Sequence, residues 1–218
     1  MKKPSKRVAI NKRAFKKNTI EQYAALGKFV EAFESMVHET RKISIKLLRR
    51  DDEHQKLVEI PFHHGAMTAQ PLFHIMRALI ADHLKQPYLR VKEAERNKYF
   101  GVLNEIGSSY ATLIKARNRL LHGTWYVGSI TLEDNSSKTF RLEKYSPNKT
   151  GMSKDELPKD ATELLALRDH CQKVWWWLRF LNTCLPPVVA HLRIEKTFQF
   201  KDGAWRLIGG NAEIETLP

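Results

Sequence analysis

The sequence predicts a mainly α-helical fold, a bundle of four long helices carrying two small β-hairpin appendages. Three observations point there. Apolar residues recur at three- and four-residue steps through four long stretches. The period changes to alternation only after Gly123 and again after residue 192. A chain of 218 residues, 42% hydrophobic and 28% charged, has material for one substantial core.

The elements follow in order. Residues 1–18 read as a basic tail with eight Lys/Arg and no acid. Thr19 is suited to cap the first helix, with Glu21 and Gln22 in its first turn. Tyr23, Leu26, Val30, Phe33, Val37 and Thr40 then mark its inner stripe, and the pattern can run to Arg50. Residues 52–70, interrupted by Pro61 and Gly65, read as loop. A second helix is expected from Pro71, placed at the first helical position, with Leu72, Ile75, Met76, Leu79, Ile80 and His83 inward, stopping near Gln86-Pro87. The third and longest is expected over Val91–His122 with Gly123 as its stop; Gly101 and Gly107 lie inside it as potential kinks. Residues 124–132 and 138–145 read as a hairpin, and 146–159 as loop. A fourth helix is expected over Ala161–Leu185, closed by Pro186-Pro187, and a second hairpin over 193–208 around Lys-Asp-Gly. The main helical domain is thus 19–192, and 193–218 a C-terminal hairpin and tail.

The net charge of +13 points to an anionic partner, nucleic acid first among them. The first 18 residues account for eight of these charges, leaving about +5 for the remaining 200. Such a segment can bind a phosphate backbone by counterion release, or serve only to keep the chain in solution. No apolar run approaches the ~20 residues of a membrane span, and the N-terminus has no apolar core of a secretory signal. Cys171 and Cys184 are the only cysteines and show no CxxC spacing, which favours free thiols in a reducing compartment, the cytoplasm by default.

The end of the third helix carries Lys115-Ala-Arg117-Asn118-Arg119-Leu-Leu-His122-Gly123. Unrolled at about 100° per residue, Leu103, Ile106, Tyr110, Leu113, Ile114, Leu120 and Leu121 all fall within about 60° of Arg117. A guanidinium in the middle of an apolar stripe calls for an anion or a functional site. Asn118 and His122 lie together on the shoulder, with Asn104, Gly107 and Ala111, a seam of small and polar residues open to close approach by a helix of the same chain or of a second copy. Arginine offers a fixed fork of donors for phosphate oxygens, and histidine moves protons near neutrality. The plain alternative is a polar helix end, with His122 on the helix dipole and Arg117 paired to a neighbour.

Arg117-Asn118-x-x-x-His122-Gly123 at the end of a long helix resembles the motif of the HEPN superfamily, Arg-x4–6-His with a polar residue after the arginine. Gln70-Pro-Leu-Phe-His-Ile-Met-Arg77-Ala-Leu-Ile-Ala is more loosely similar to an arginine-bearing helix of some HEPN-like families. The resemblance spans about residues 19–123 and the fourth helix. It implies a homodimer in which two motifs form one composite, metal-independent endoribonuclease site. Arg117, His122 and Asn118 would be catalytic; Arg119, Lys115, Lys12, Arg13, Lys16 and Lys17 would bind RNA. It further implies a toxin or phage-defence setting with an antitoxin or nucleotidyltransferase partner. The alternative within the same resemblance is a non-catalytic module that binds nucleic acid or a partner protein. The first helix shows no acid on its apolar stripe, so no fourth catalytic residue is named.

Other candidates are weaker. His63, His64, His74 and His83 have no partner ligands at metal spacing, so neither metal nor cofactor is expected. His170-Cys171 invites a thiol nucleophile, but Cys171 falls on an apolar stripe and reads as a buried thiol. Trp175-Trp176-Trp177 points three rings in three directions, which favours core and dimer packing over base stacking. The first hairpin carries Lys138, Arg141 and Lys144 with Trp125 and Tyr126, either an RNA guide or a solvated arm.

Overall fold

Residues 12–48, 67–122, 124–126, 141–148, 151–156, 160–186 and 193–208 are described by the structure, a computed structural model. Their order is α1 (Lys12–Leu48), α2 (Ala69–His83), a short 3-10 turn (Pro87–Leu89), α3 (Glu93–His122), β1 (Thr124–Tyr126), β2 (Arg141–Asn148), β3 (Gly151–Glu156), α4 (Ala161–Cys184), α5 (Ile194–Thr197), β4 (Phe198–Lys201) and β5 (Ala204–Leu207). The described chain is therefore mainly helical, as periodicity indicates. Two compact units divide it: Met1–Glu31 with Ala116–Arg168, and Ala32–Lys115 with Asp169–Pro218.

In the first unit, α1 begins at Lys12, so Thr19 lies within the helix rather than at its cap. Lys12, Arg13, Lys16 and Lys17 accordingly stand on a helix and not in a tail; residues 1–11 are outside the described set. Lys, Arg and Ala are good helix formers, and Lys17 pairs with Glu21 one turn on at 3.8 Å, so the helix runs through Thr19. The inner stripe is also offset from expectation. Ala25 and Phe29 are buried with Gln22, whereas Tyr23 is 56% exposed. At the start of α4, Asp160 Oδ1 accepts hydrogen bonds from the Thr162 and Glu163 amides at 2.8 and 3.0 Å, a cap with two donors.

The sheet of this unit has three strands in the order β1-β2-β3, not a two-strand hairpin. Thr124, Trp125 and Tyr126 pair antiparallel with Glu143, Leu142 and Arg141. Residues 146–148 and 151–156, expected as loop, belong to β2 and β3, with Asn148 opposite Gly151. Pro147 lies beyond the end of β1, where β2 is paired on one side only, the setting in which a strand tolerates a residue without an N–H. Residues 127–140, including Lys138, lie outside the described set.

The second unit gathers four helices around one core. Thr68 precedes α2, whose first bond runs from the Leu72 amide to the Thr68 carbonyl at 3.2 Å, so Pro71 is third in the helix and still within the turn that lacks internal acceptors. Leu72, Phe73, Met76 and Ile80 are buried. α3 is assigned as one helix through Gly101 and Gly107. Both glycines are packing sites. A Cβ at Gly107 would lie 3.1 Å from the Phe73 ring, and one at Gly101 would lie 2.4 Å from Trp205 Nε1. Phe73 stacks on Tyr110 (4.8 Å between centroids, 27°), and the Thr40 hydroxyl of α1 meets Tyr110 Oη at 3.3 Å. The Tyr99 hydroxyl donates to the Cys184 carbonyl at the end of α4.

The C-terminal hairpin is present, with one correction: Ile194–Thr197 form a helical turn, and the strands begin at Phe198. Asp202 and Gly203, both at positive φ (53° and 79°), make the two-residue connection between paired Lys201 and Ala204, as a type I′ turn requires. Phe198 packs edge-on to Trp177 (5.5 Å), and Trp205 seats on α3 at Gly101. The hairpin is thereby part of this unit's core.

Two helical glycines have opposite expected effects. Nothing lies within 4 Å of a Cβ at Gly27, so Gly27→Ala should raise stability by about 1 kcal/mol. Gly101→Ala should lower it by roughly 1–3 kcal/mol, because the indole must move. Urea unfolding midpoints check both; a stabilising Gly101→Ala would show that the Trp205 contact is dispensable.

Candidate functional site

The buried residues of α3 recur at helical spacing: Leu103, Ile106, Tyr110, Leu113 and Leu120. Arg117 falls on this line, one turn before the helix ends at His122, and is half-buried. Its Nη1 donates to Asn118 Oδ1 at 3.3 Å. Asn118 is exposed, Arg119 half-buried and Lys115 exposed. Leu121, placed on the apolar stripe by the helical unrolling, is 41% exposed, because burial narrows toward the helix end. His122 is the final residue of α3; its side chain and Gly123 lie outside the described set.

Arg117, Asn118, Arg119 and His122 belong to the first unit, as do Lys12, Arg13, Lys16 and Lys17. Lys16 and Lys17 are exposed and border an open depression with Ile20 and Glu21. The side chains of Lys12 and Arg13 are outside the described set. Lys115 falls in the second unit. Along the small-residue shoulder, Asn104 and Ala111 are exposed. At Gly107 the close approach is made by Phe73 of the same chain.

The apolar pattern of α1 conceals a carboxylate among its buried residues. Continuing the buried series Phe29, Phe33, Met36 by one turn reaches Glu39 and Thr40, which are 5% and 0% exposed, then Ser44 at 0%. The acid sought on this stripe is thus present in the second unit. Glu39 lies 3.8 Å from Lys42. Thr40 donates to the Met36 carbonyl and Ser44 to the Thr40 carbonyl, the local back-bonds that hydroxyls make within helices. Arg41 Nε is buried beside them with no hydrogen-bond partner, and its charge partly offsets the rise that burial imposes on the Tyr110 phenol. The signal was in the sequence: Phe29 and Met36, seven apart, set the true phase of the stripe.

His170 lines a small cavity of the second unit with Glu105, Ser109 and Lys173. Burial first, and then the Lys173 charge, hold its pKa below the usual value, so it is neutral near pH 7. Its neighbour Cys171 is fully buried, and burial pushes its thiol up to about 12. Cys184 is also buried and raised, and its Sγ reaches Thr197 Oγ1 at 3.4 Å. Neither forms a thiolate nucleophile at neutral pH. His74 is exposed, and His83 is half-buried with Nε2 at the Pro186 carbonyl; His63 and His64 are outside the described set. Among the described residues no group of three His, Cys, Asp or Glu is arranged to hold a metal, and no helix is long and apolar enough to cross a membrane.

Of the tryptophan run, Trp177 is buried, Trp175 half-buried and Trp176 45% exposed. Comparison with known protein families, curated proteins and solved structures finds no match.

The buried thiols give a direct check. Both cysteines should resist a disulfide reagent at pH 8 in the folded protein and react fully in denaturant. Rapid reaction of either thiol under native conditions would contradict its burial.

Proposed function

We propose that the chain is a metal-independent endoribonuclease of HEPN type, built on a HEPN-like four-helix bundle and acting as a homodimer in the cytoplasm. The observation that carries this reading is Arg117: a half-buried guanidinium on the apolar line of α3, hydrogen-bonded to Asn118 and one turn from the terminal His122. The planar fork of donors on a guanidinium suits phosphate oxygens, and a site shared by two copies would bring two such forks to one phosphate.

In the proposed reaction the ribose 2′-oxygen attacks the adjacent phosphorus and the bond to the 5′-oxygen breaks. The products are a 2′,3′-cyclic phosphate and a 5′-hydroxyl. Arg117 holds the non-bridging oxygens and stabilises the charge gathering on them. His122 takes the 2′-hydroxyl proton or supplies one to the leaving oxygen. Asn118 fixes the guanidinium through the bond from Nη1. Arg119, Lys115 and the α1 cations Lys12, Arg13, Lys16 and Lys17 draw the RNA backbone in. The setting proposed is a toxin or phage-defence component, regulated by an antitoxin or nucleotidyltransferase partner.

The test is cleavage of labelled RNA in EDTA by wild type and by an Arg117→Ala/His122→Ala double variant of equal fold and mass. Wild type should leave 2′,3′-cyclic phosphate ends, and the double variant should lose at least about 10³-fold in rate. Equally intact RNA with both proteins would sink the enzyme reading in favour of a non-catalytic binding module.

A further inference from the structure

Outside the motif, the second unit carries an aromatic surface on the last turns of α4 that core packing does not use. Consecutive positions of a helix point about 100° apart, and the three tryptophans divide accordingly. Trp177 enters the core against Phe198. Trp176 faces outward and stacks with Phe180 (5.8 Å, 29°). Trp175 meets Trp176 edge to face at 4.7 Å. The Arg179 guanidinium lies over both indoles, 5.2 Å from Trp175 and 5.7 Å from Trp176. The other exposed positions beside Trp176 are Gln172 and Thr183, both hydrogen-bonding and neither aliphatic.

Charge decides what this surface fits. From His170 to Cys184 the helix has two cations and no acid. Lys173 stands at one edge of the exposed arc. At the other edge, Lys46 Nζ donates to the carbonyl and side-chain oxygens of Asn182 at 3.2 and 2.9 Å. The nearest acid along α4 is Asp169, about 10 Å of helix before Trp176, and Glu105 of α3 lines the small cavity beside Lys173. The core of a contact between two copies is also rich in aromatic residues and arginine but is poor in lysine, and Lys173 and Lys46 flank this arc. Ring faces, a stacked guanidinium and flanking ammonium groups instead match the bases and phosphates of a single strand.

We propose that Trp176, Phe180 and Arg179, with Trp175 behind them, form a stacking shelf for unpaired bases of single-stranded RNA. Lys173 and Lys46 take the adjoining phosphates. The choice of RNA rests on the nuclease reading above, but the shelf itself does no chemistry.

The experiment uses the full chain in EDTA with a fluorescein-labelled 2′-O-methyl oligouridylate of about twelve nucleotides, within single-strand site sizes. This probe lacks the 2′-hydroxyl nucleophile and cannot be cut, so an inactive Arg117–His122 pair leaves the result untouched. Trp176→Ala should weaken binding by roughly fivefold to a hundredfold. Trp176→Phe, which keeps a ring, should stay within about threefold of wild type, while the quenching of intrinsic tryptophan emission on saturation falls. Wild-type affinity in Trp176→Ala would overturn the proposal. So would a change in its mass by light scattering, which would mark the face as a contact between two copies.

Discussion

The second unit is assembled on bare backbone at two points of α3. Gly107 leaves room for the Phe73 ring, which then reaches Tyr110 and stacks on it. Tyr110 in turn meets Thr40, so one missing side chain lets α2, α3 and α1 close on a single contact chain. Gly101 does the same for the C-terminal hairpin, whose Trp205 would overlap any Cβ there. Each glycine forgoes about 1 kcal/mol of helix propensity relative to alanine, a cost offset by the ring packed in its place.

This constraint also explains why α3 is continuous. Read in sequence, two glycines six apart suggest a kink. In the fold their backbone hydrogen bonds stay within the helix, and their absent side chains are used for packing. The Asp202-Gly203 turn illustrates the other use of glycine, where both central residues adopt positive φ and the hairpin twist follows.

Helix existence and type were legible because each long helix repeats its apolar signal over several turns. Phase was less legible. Tyr23, Leu26 and Val30 suggested one stripe on α1, while burial follows Ala25, Phe29 and Met36, an offset small enough that both fit a 3.6-residue period over a short window. The same offset hid Glu39, whereas Thr40, expected on the inner stripe, is buried there. Starts were legible where a side chain caps, as Asp160 does for α4, and not where a run of good helix formers simply continues, as before Thr19. No alternation marks the strand over 151–156, because Met152 is alone among polar residues; pairing with β2 supplies its order.

For the site, the helical unrolling placed Arg117 on the line of buried residues, and the structure leaves it half-buried there with Asn118 as a bonded neighbour. Trp175-Trp176-Trp177 resolved into one core residue and two surface rings, a division that periodicity anticipates but cannot rank by exposure. The proposed chemistry requires two copies of the Arg117–His122 motif sharing one cleft. Light scattering on chromatographic fractions that are assayed for RNA cleavage tests it most directly. Cleavage should coincide with a species of twice the 25.4 kDa chain mass and vanish from monomeric fractions. Cleavage by the monomer, or a folded protein that never exceeds the chain mass, would contradict it.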